Sequence, residues 1–156
     1  MNANTIAIRK NKVYREEWYI AGSLFLAGIL YGILNITAWL HEWGHVFFAF
    51  ITGGSGVVQN AFLTYTYGGW EFLINIGGVL FVVLVGHGLF MLGLKLRWPW
   101  LGAYVMGLAY PEIIWFIGSS DQSGARISTP LWLLLMAVIL FFLWVCILLV
   151  GVRNIK

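Results

Sequence analysis

The sequence is short of charge. Nine basic and six acidic side chains among 156 residues make 10% charged content against 61% hydrophobic, and a soluble domain of that size has no interior large enough to hide so much apolar surface. A water-soluble globular class is excluded on that ground, and lipid is the expected solvent. Cysteine is nearly missing. Cys146 stands alone in an apolar run, which excludes an intrachain disulfide, a cysteine-based zinc finger and a Cys/His nucleophile pair. Asp121 is the only aspartate, and His41, His45 and His87 are the only histidines, so acid–base or metal chemistry has few groups to draw on. The formal charge of +3 is not gathered on one face. Arg9, Lys10, Lys12 and Arg15, then Lys95 and Arg97, then Arg153 and Lys156 form short clusters beside apolar blocks, a pattern that speaks against nucleic acid as a partner and for membrane topology signals.

What the chain does have is apolar length. Blocks over 18–52, 72–94, 101–118 and 131–150 hold little internal charge, and about 20 such residues cross a hydrocarbon core of about 30 Å. The first block is too long for one simple crossing, because as a continuous helix it would run roughly 50 Å. It must break, tilt or finish along the interface, and Asn35-Ile36-Thr37 is the expected break. Trp18, Trp39, Trp70, Trp98, Trp100, Trp115 and Trp132 lie mostly near block ends, as interfacial aromatic belts do. The first block has no small-residue cleavage site ahead of its polar motif, so it is expected to stay in the membrane rather than be removed as a signal peptide. Residues 53–70 differ: three close glycines precede β-branched and aromatic residues over 57–67, the pattern of a short strand or hairpin, expected to lie over that motif.

Lysine and arginine are retained on the cytoplasmic side of a membrane. One net crossing by residues 18–52 puts both ends and the Lys95/Arg97 loop on one side, with Arg126 opposite; two crossings would move Lys95 and Arg97 across. The first is preferred. The expectation is an all-α polytopic membrane protein of four or five transmembrane helices, with a broken motif-bearing helix and a short β hairpin. It comprises a cytoplasmic basic tail over 1–17, a single transmembrane domain over 18–150 and a cytoplasmic tail over 151–156.

The chemistry is concentrated in His41-Glu42-Trp43-Gly44-His45. Positions four apart share a helix face, so both imidazoles can reach one metal ion with Glu42 beside it, the spacing of zinc peptidases. A third protein ligand completes such a set, and an open position holds water whose pKa the metal lowers towards about 7. Glu42 is placed to take its proton and pass it to a leaving amine. Gly44 leaves room for the metal or for a packed helix, and Trp43 points away. An ionisable Glu42 in so apolar a stretch is costly unless used. Two carboxylates compete as third ligand: Asp121, in the polar loop after the third block, on the side where the first block exits, and Glu112, which follows Pro111 inside the third block. His87, between Gly86 and Gly88, reads as a hydrogen-bonding partner for a neighbouring helix. Gly77, Gly78, Gly86 and Gly88 read as sites of close helix contact, and Asn75 as an interhelical hydrogen bond or a substrate contact.

These residues carry a resemblance. The motif, followed by Ala49 and Gly53-Gly54, resembles the HExGH-xxx-A-xxx-G pattern of the site-2-protease family of intramembrane zinc metalloproteases, its small prokaryotic branch above all. Gly77-Gly78 resembles that family's glycine-containing central segment, and Ser120-Asp121 its later aspartate. The resemblance implies Zn2+ held by His41, His45 and Asp121, with Glu42 as catalytic acid/base, in a prokaryotic cytoplasmic membrane. Asp121 is followed by Gln122 where larger members show Asp-Gly, so Glu112 stays in view as the alternative ligand. No PDZ-like domain fits in this length, which leaves substrate selection to the membrane helices and residues 53–70.

The expected function is therefore hydrolysis of a peptide bond in or near a membrane segment of a substrate protein, by a zinc metalloendopeptidase whose partners are that substrate and the lipid bilayer. A non-catalytic metal-binding or transport protein, or a metal-free scaffold, is the alternative, and the need for Glu42 separates them.

Overall fold

The computed structural model describes the backbone over 3–154 and the side chains over 16–149. The expected topology signals Arg9, Lys10, Lys12, Arg15, Arg153 and Lys156 lie outside the residues whose side chains are described. Six helices and a two-stranded sheet follow in chain order: α1 (Ala3–Gly32), α2 (Ala38–Ile51), β1 (Ser55–Asn60), β2 (Leu63–Tyr67), α3 (Glu71–Lys95), α4 (Pro99–Trp115), α5 (Ser120–Ala125) and α6 (Thr129–Asn154). Because α1 starts at Ala3, the basic segment expected as a separate tail runs directly into the first helix.

Local sequence accounts for most boundaries. The apolar first block breaks over 33–37, where Asn35 takes a left-handed φ of 55°, a conformation that asparagine tolerates better than most residues. Leu34 and Asn35 then bond back to Tyr31 and Gly32 at 3.0 and 2.9 Å. Pro99 opens α4, where its missing N–H leaves nothing unsatisfied. The strands pair antiparallel, with Val57 opposite Tyr65 and an irregularity between Val58 and Asn60. At the turn, the Asn60 side chain accepts the Phe62 N–H at 2.8 Å, the local bond that makes asparagine a turn residue. Thr52 closes the connection from α2 to α3: its hydroxyl donates to the Phe48 carbonyl at 2.7 Å and accepts the Trp70 N–H at 3.0 Å.

Absent side chains set the helix packing. Gly28 and Gly32 of α1 lie against Gly107 and Pro111 of α4, close enough that a Cβ on Gly28 would come within about 3 Å of the Gly107 backbone. These small-residue contacts advance together, so α1 and α4 run parallel. On α3, Gly86 meets Met106 and Ala109 while Gly93 meets Gly102, so α3 and α4 are antiparallel. His45 meets Ile74 and His41 meets Gly78, which makes α2 antiparallel to α3 and lets it continue in the direction of α1. The main core joins Val79, Val82 and Val83 of α3 to Ala109 and Ile113 of α4 and to Trp132 and Met136 of α6. Gly88, expected in a helix contact, has nothing within 4 Å of a Cβ built on it, because it faces outward on α3.

Among the described residues two helices are long and apolar enough to cross a membrane, Glu71–Lys95 and Thr129–Leu149. The expectation of four or five is corrected to two by that measure. α2 has 14 residues and α4 has 17, with Pro111 inside, against the about 20 that span a hydrocarbon core, and the 30 residues of α1 carry their charges in the first half. Burial separates the two long helices. The apolar window of α3 is 56% buried, as in a core helix, whereas that of α6 is 17% buried at a mean hydropathy of 3.0. Leu134, Phe141, Phe142 and Leu148 are exposed along α6, an apolar surface of the kind that a membrane-crossing helix presents.

Gly107→Val is expected to push α1 off α4 and destabilise the protein by about 1–3 kcal/mol, the usual cost of overpacking. Gly88→Ala should be neutral or stabilising, by up to about 1 kcal/mol of helix propensity. Unfolding in detergent, followed by circular dichroism, compares the two, and equal midpoints would refute the close α1/α4 contact.

Candidate metal centre

The end of the bundle shared by the start of α3, the end of α4 and the short α5 gathers the ionisable residues that the sequence singles out. His41 stands beside Gly78, seven residues into α3, or about 10 Å from its end. A Cβ on Gly78 would lie under 3 Å from three atoms of the His41 ring, so the imidazole lies flat on a face that only glycine leaves open. Gly44 serves the same approach one turn along, against the Gly77 carbonyl and the Gly78 Cα. Trp43 is exposed, on the outer face of α2.

The two histidines present their Nε2 atoms to one carboxylate oxygen. His41 Nε2 is 3.2 Å from Asp121 Oδ2, and His45 Nε2 is 3.5 Å from the same atom. Each Nδ1 is engaged on the far side of its ring: His45 Nδ1 donates to the Ile74 carbonyl at 2.6 Å, and His41 Nδ1 pairs with Glu112 Oε2 at 2.9 Å. A neutral His45 that donates through Nδ1 turns a lone pair on Nε2 towards a carboxylate, an arrangement that calls for a cation between them. The spacing suits one. Ligands at about 2.0–2.1 Å from a tetrahedral Zn2+ stand about 3.3 Å apart, and 3.2 and 3.5 Å bracket that edge. His41, Glu42 and His45 also offer donor atoms within 4.8 Å of one another, a group that does not include Asp121.

Asp121 reaches this point from α5. Ser119 caps that helix, its hydroxyl accepting the Gln122 N–H at 3.2 Å, and Arg126 ends it with a left-handed φ of 53°. Gln122 fastens it further: its Oε1 accepts the Gly118 N–H at 2.7 Å and its Nε2 donates to the Thr129 hydroxyl at 3.0 Å. The residue that departs from the family's pattern thus holds the turn that carries Asp121.

Glu112, the alternative ligand, is 3% exposed and faces the other edge of His41, with the Thr37 hydroxyl donating to its Oε1. It meets Nδ1 and not the Nε2 atoms that converge on Asp121. Trp132, fully buried, donates its indole N–H to the Ile113 carbonyl at 3.0 Å and stacks on Phe116, which anchors the last turn of α4 next to Glu112. In the sequence Gly78 reads as a helix contact, Thr37 as part of the helix break and Trp132 as part of an aromatic belt; their part in the site, and that of the Ile74 carbonyl, is not legible there.

His87 and Asn75 take no part. The expected bond from His87 to a neighbouring helix is replaced by one to the Val83 carbonyl of its own helix at 2.8 Å, because the facing surfaces of α4 and α6 offer the rings of Tyr110 and Trp144 instead. Asn75 makes no interhelical hydrogen bond among the described residues, and its amide packs against Gly124 of α5.

A cavity of about 180 Å3 opens beside the cluster, lined by His41, Glu42, Glu112 and Asp121 and by Ala61 and Phe62 from the hairpin tip. The Thr64 hydroxyl donates to the Glu42 carbonyl at 3.3 Å, which ties the hairpin to α2 at the motif. The volume is below the about 300 Å3 at which small-molecule pockets begin; it suits a threaded backbone with modest side chains. No family model matches the chain, and no curated protein or solved structure matches it.

Gly78→Ala is expected to lift the His41 ring away from Asp121 and to cut divalent-metal uptake by the purified protein at least 10-fold, in line with the loss of a positioned ligand. Uptake equal to that of the wild type would show that the imidazole does not depend on this face.

Proposed function

We propose that the protein is an intramembrane zinc metallopeptidase that hydrolyses a peptide bond in or near a membrane segment of a substrate protein. The observation that carries this reading is the convergence of His41 Nε2 and His45 Nε2 on one oxygen of Asp121, with both Nδ1 atoms engaged and Glu42 alongside. His41, His45 and Asp121 are the zinc ligands in this reading, two imidazoles and a carboxylate as in catalytic sites with one open position. Zinc, when bound, supplies Lewis acidity that polarises the scissile carbonyl and acidifies water. Glu42 takes the proton of the attacking water and returns it to the departing amine nitrogen, general acid–base work within the same cavity. The hairpin supports the role of substrate guide: its strands form a two-stranded sheet with free outer edges, able to pair with an unwound substrate strand, and its tip lines the cavity.

Orientation follows from charge. Since α1 and α4 run one way and α3 the other, the start of α1, the end of α3 and the start of α4 share an end of the bundle, and Lys95 and Arg97 lie there. The positive-inside rule assigns that end, with both termini, to the cytoplasm and the metal centre to the opposite half of the membrane.

Detergent-purified wild type is expected to hold about one zinc per chain, as a three-ligand site does, and His45→Ala and Asp121→Ala to lose it. Glu42→Gln should keep the zinc and lower cleavage of a reconstituted membrane-segment substrate by about 10²- to 10⁴-fold, the worth of a general base. Unchanged cleavage by Glu42→Gln would sink the peptidase reading and leave a metal-binding protein.

A further inference from the structure

We infer that Glu112 and Thr37 form a positioning pair for His41, so that Glu112 acts on the metal through the imidazole and not as a ligand. The inference rests on the zinc reading of the site above and assigns to it two residues outside the ligand set. Glu112 is the most deeply buried carboxylate described in the chain, 3% exposed within the last turn of α4, and a buried carboxylate without partners is costly. Its two oxygens are each used: Oε1 accepts the Thr37 hydroxyl, and Oε2 accepts His41 Nδ1–H at 2.9 Å. With the proton fixed on Nδ1, the lone pair of His41 is on Nε2, the atom that faces Asp121. Thr37 is needed because a carboxylate held by one partner can rotate; the hydroxyl locks it in the plane where it meets the ring.

Charge distinguishes the two imidazoles: Glu112 puts a carboxylate across the ring of His41, whereas His45 leans on the neutral carbonyl of Ile74. The two histidines are therefore unequal: His41 is the ligand made more basic by a carboxylate, and His45 is merely oriented. Thr37 opens α2 directly after the turn at Asn35, so the pair also joins the α1/α2 break to the end of α4 and makes the metal affinity depend on that joint.

The test is a competitive chelator titration of zinc on the purified protein, with cobalt(II) substitution to report the donor set. Glu112→Gln preserves shape and can still accept from Nδ1–H, so it is expected to fold, to reach about one zinc per chain at saturation, to keep the four-coordinate cobalt spectrum and to bind 10- to 100-fold more weakly, the usual effect of losing an outer carboxylate. Thr37→Val should weaken binding in the same direction by a smaller factor, and it tests the pair independently if Glu112→Gln misfolds. Loss of stoichiometry with a changed cobalt spectrum in Glu112→Gln, matching Asp121→Ala, would make Glu112 a ligand and overturn the inference. Wild-type affinity in both variants would overturn it as well while leaving the zinc site standing. A wild type that takes up no zinc would remove both readings together.

Discussion

The close approach of α2 to α3 is the constraint on which the site depends. With no side chain at Gly44, Gly77 and Gly78, the two backbones come near enough for His41 to lie flat on α3 and for His45 to reach the carbonyl of Ile74. Close packing and hydrogen bonds hold the two helices together here, and small residues permit both. The same glycines that bring the helices together thus aim the imidazoles. A residue with a Cβ at Gly78 would cost the fold a clash and the site a ligand at the same position.

Polar groups in the bundle are few, and each is answered. Glu112 is met by Thr37 and His41, Asp121 by both histidines, and Trp132 by a carbonyl at the end of α4. The low dielectric that makes an isolated charge expensive makes each of these pairings strong. His87 Nε2 is the exception among the described residues, a buried atom without a partner, held among aromatic rings away from the cluster. The hairpin has the opposite character: its strands alternate exposed and half-buried positions, and it is tied to α2 beside the motif.

The sites where local sequence decided the structure are the ones where local rules apply. Asn35 broke the first block because a left-handed residue with a short polar side chain is a local matter, and 53–70 formed a hairpin because glycine and β-branched residues bias the backbone wherever they are placed. The shared face of His41 and His45 was equally legible, since four residues along a helix always return to one side. The number of crossings was misjudged for the converse reason. Apolar length was counted across breaks, and the break at 33–37 and the 17-residue α4 left two full-length helices by composition and length.

By itself, then, the sequence determined the helix-forming blocks, the hairpin and the pairing of two histidines with a glutamate, because composition and periodicity act within a turn or two of the chain. Only the tertiary structure gave Asp121 and Glu112, which lie 80 and 71 residues from His41, different positions around its ring. Both acids end up touching the same imidazole, and the edge each one touches is set by where the ends of α4 and α5 fall against α2. That placement depends in part on Thr37 and Trp132, whose bonds to Glu112 and to the Ile113 carbonyl span 75 and 19 residues and leave no local pattern to read.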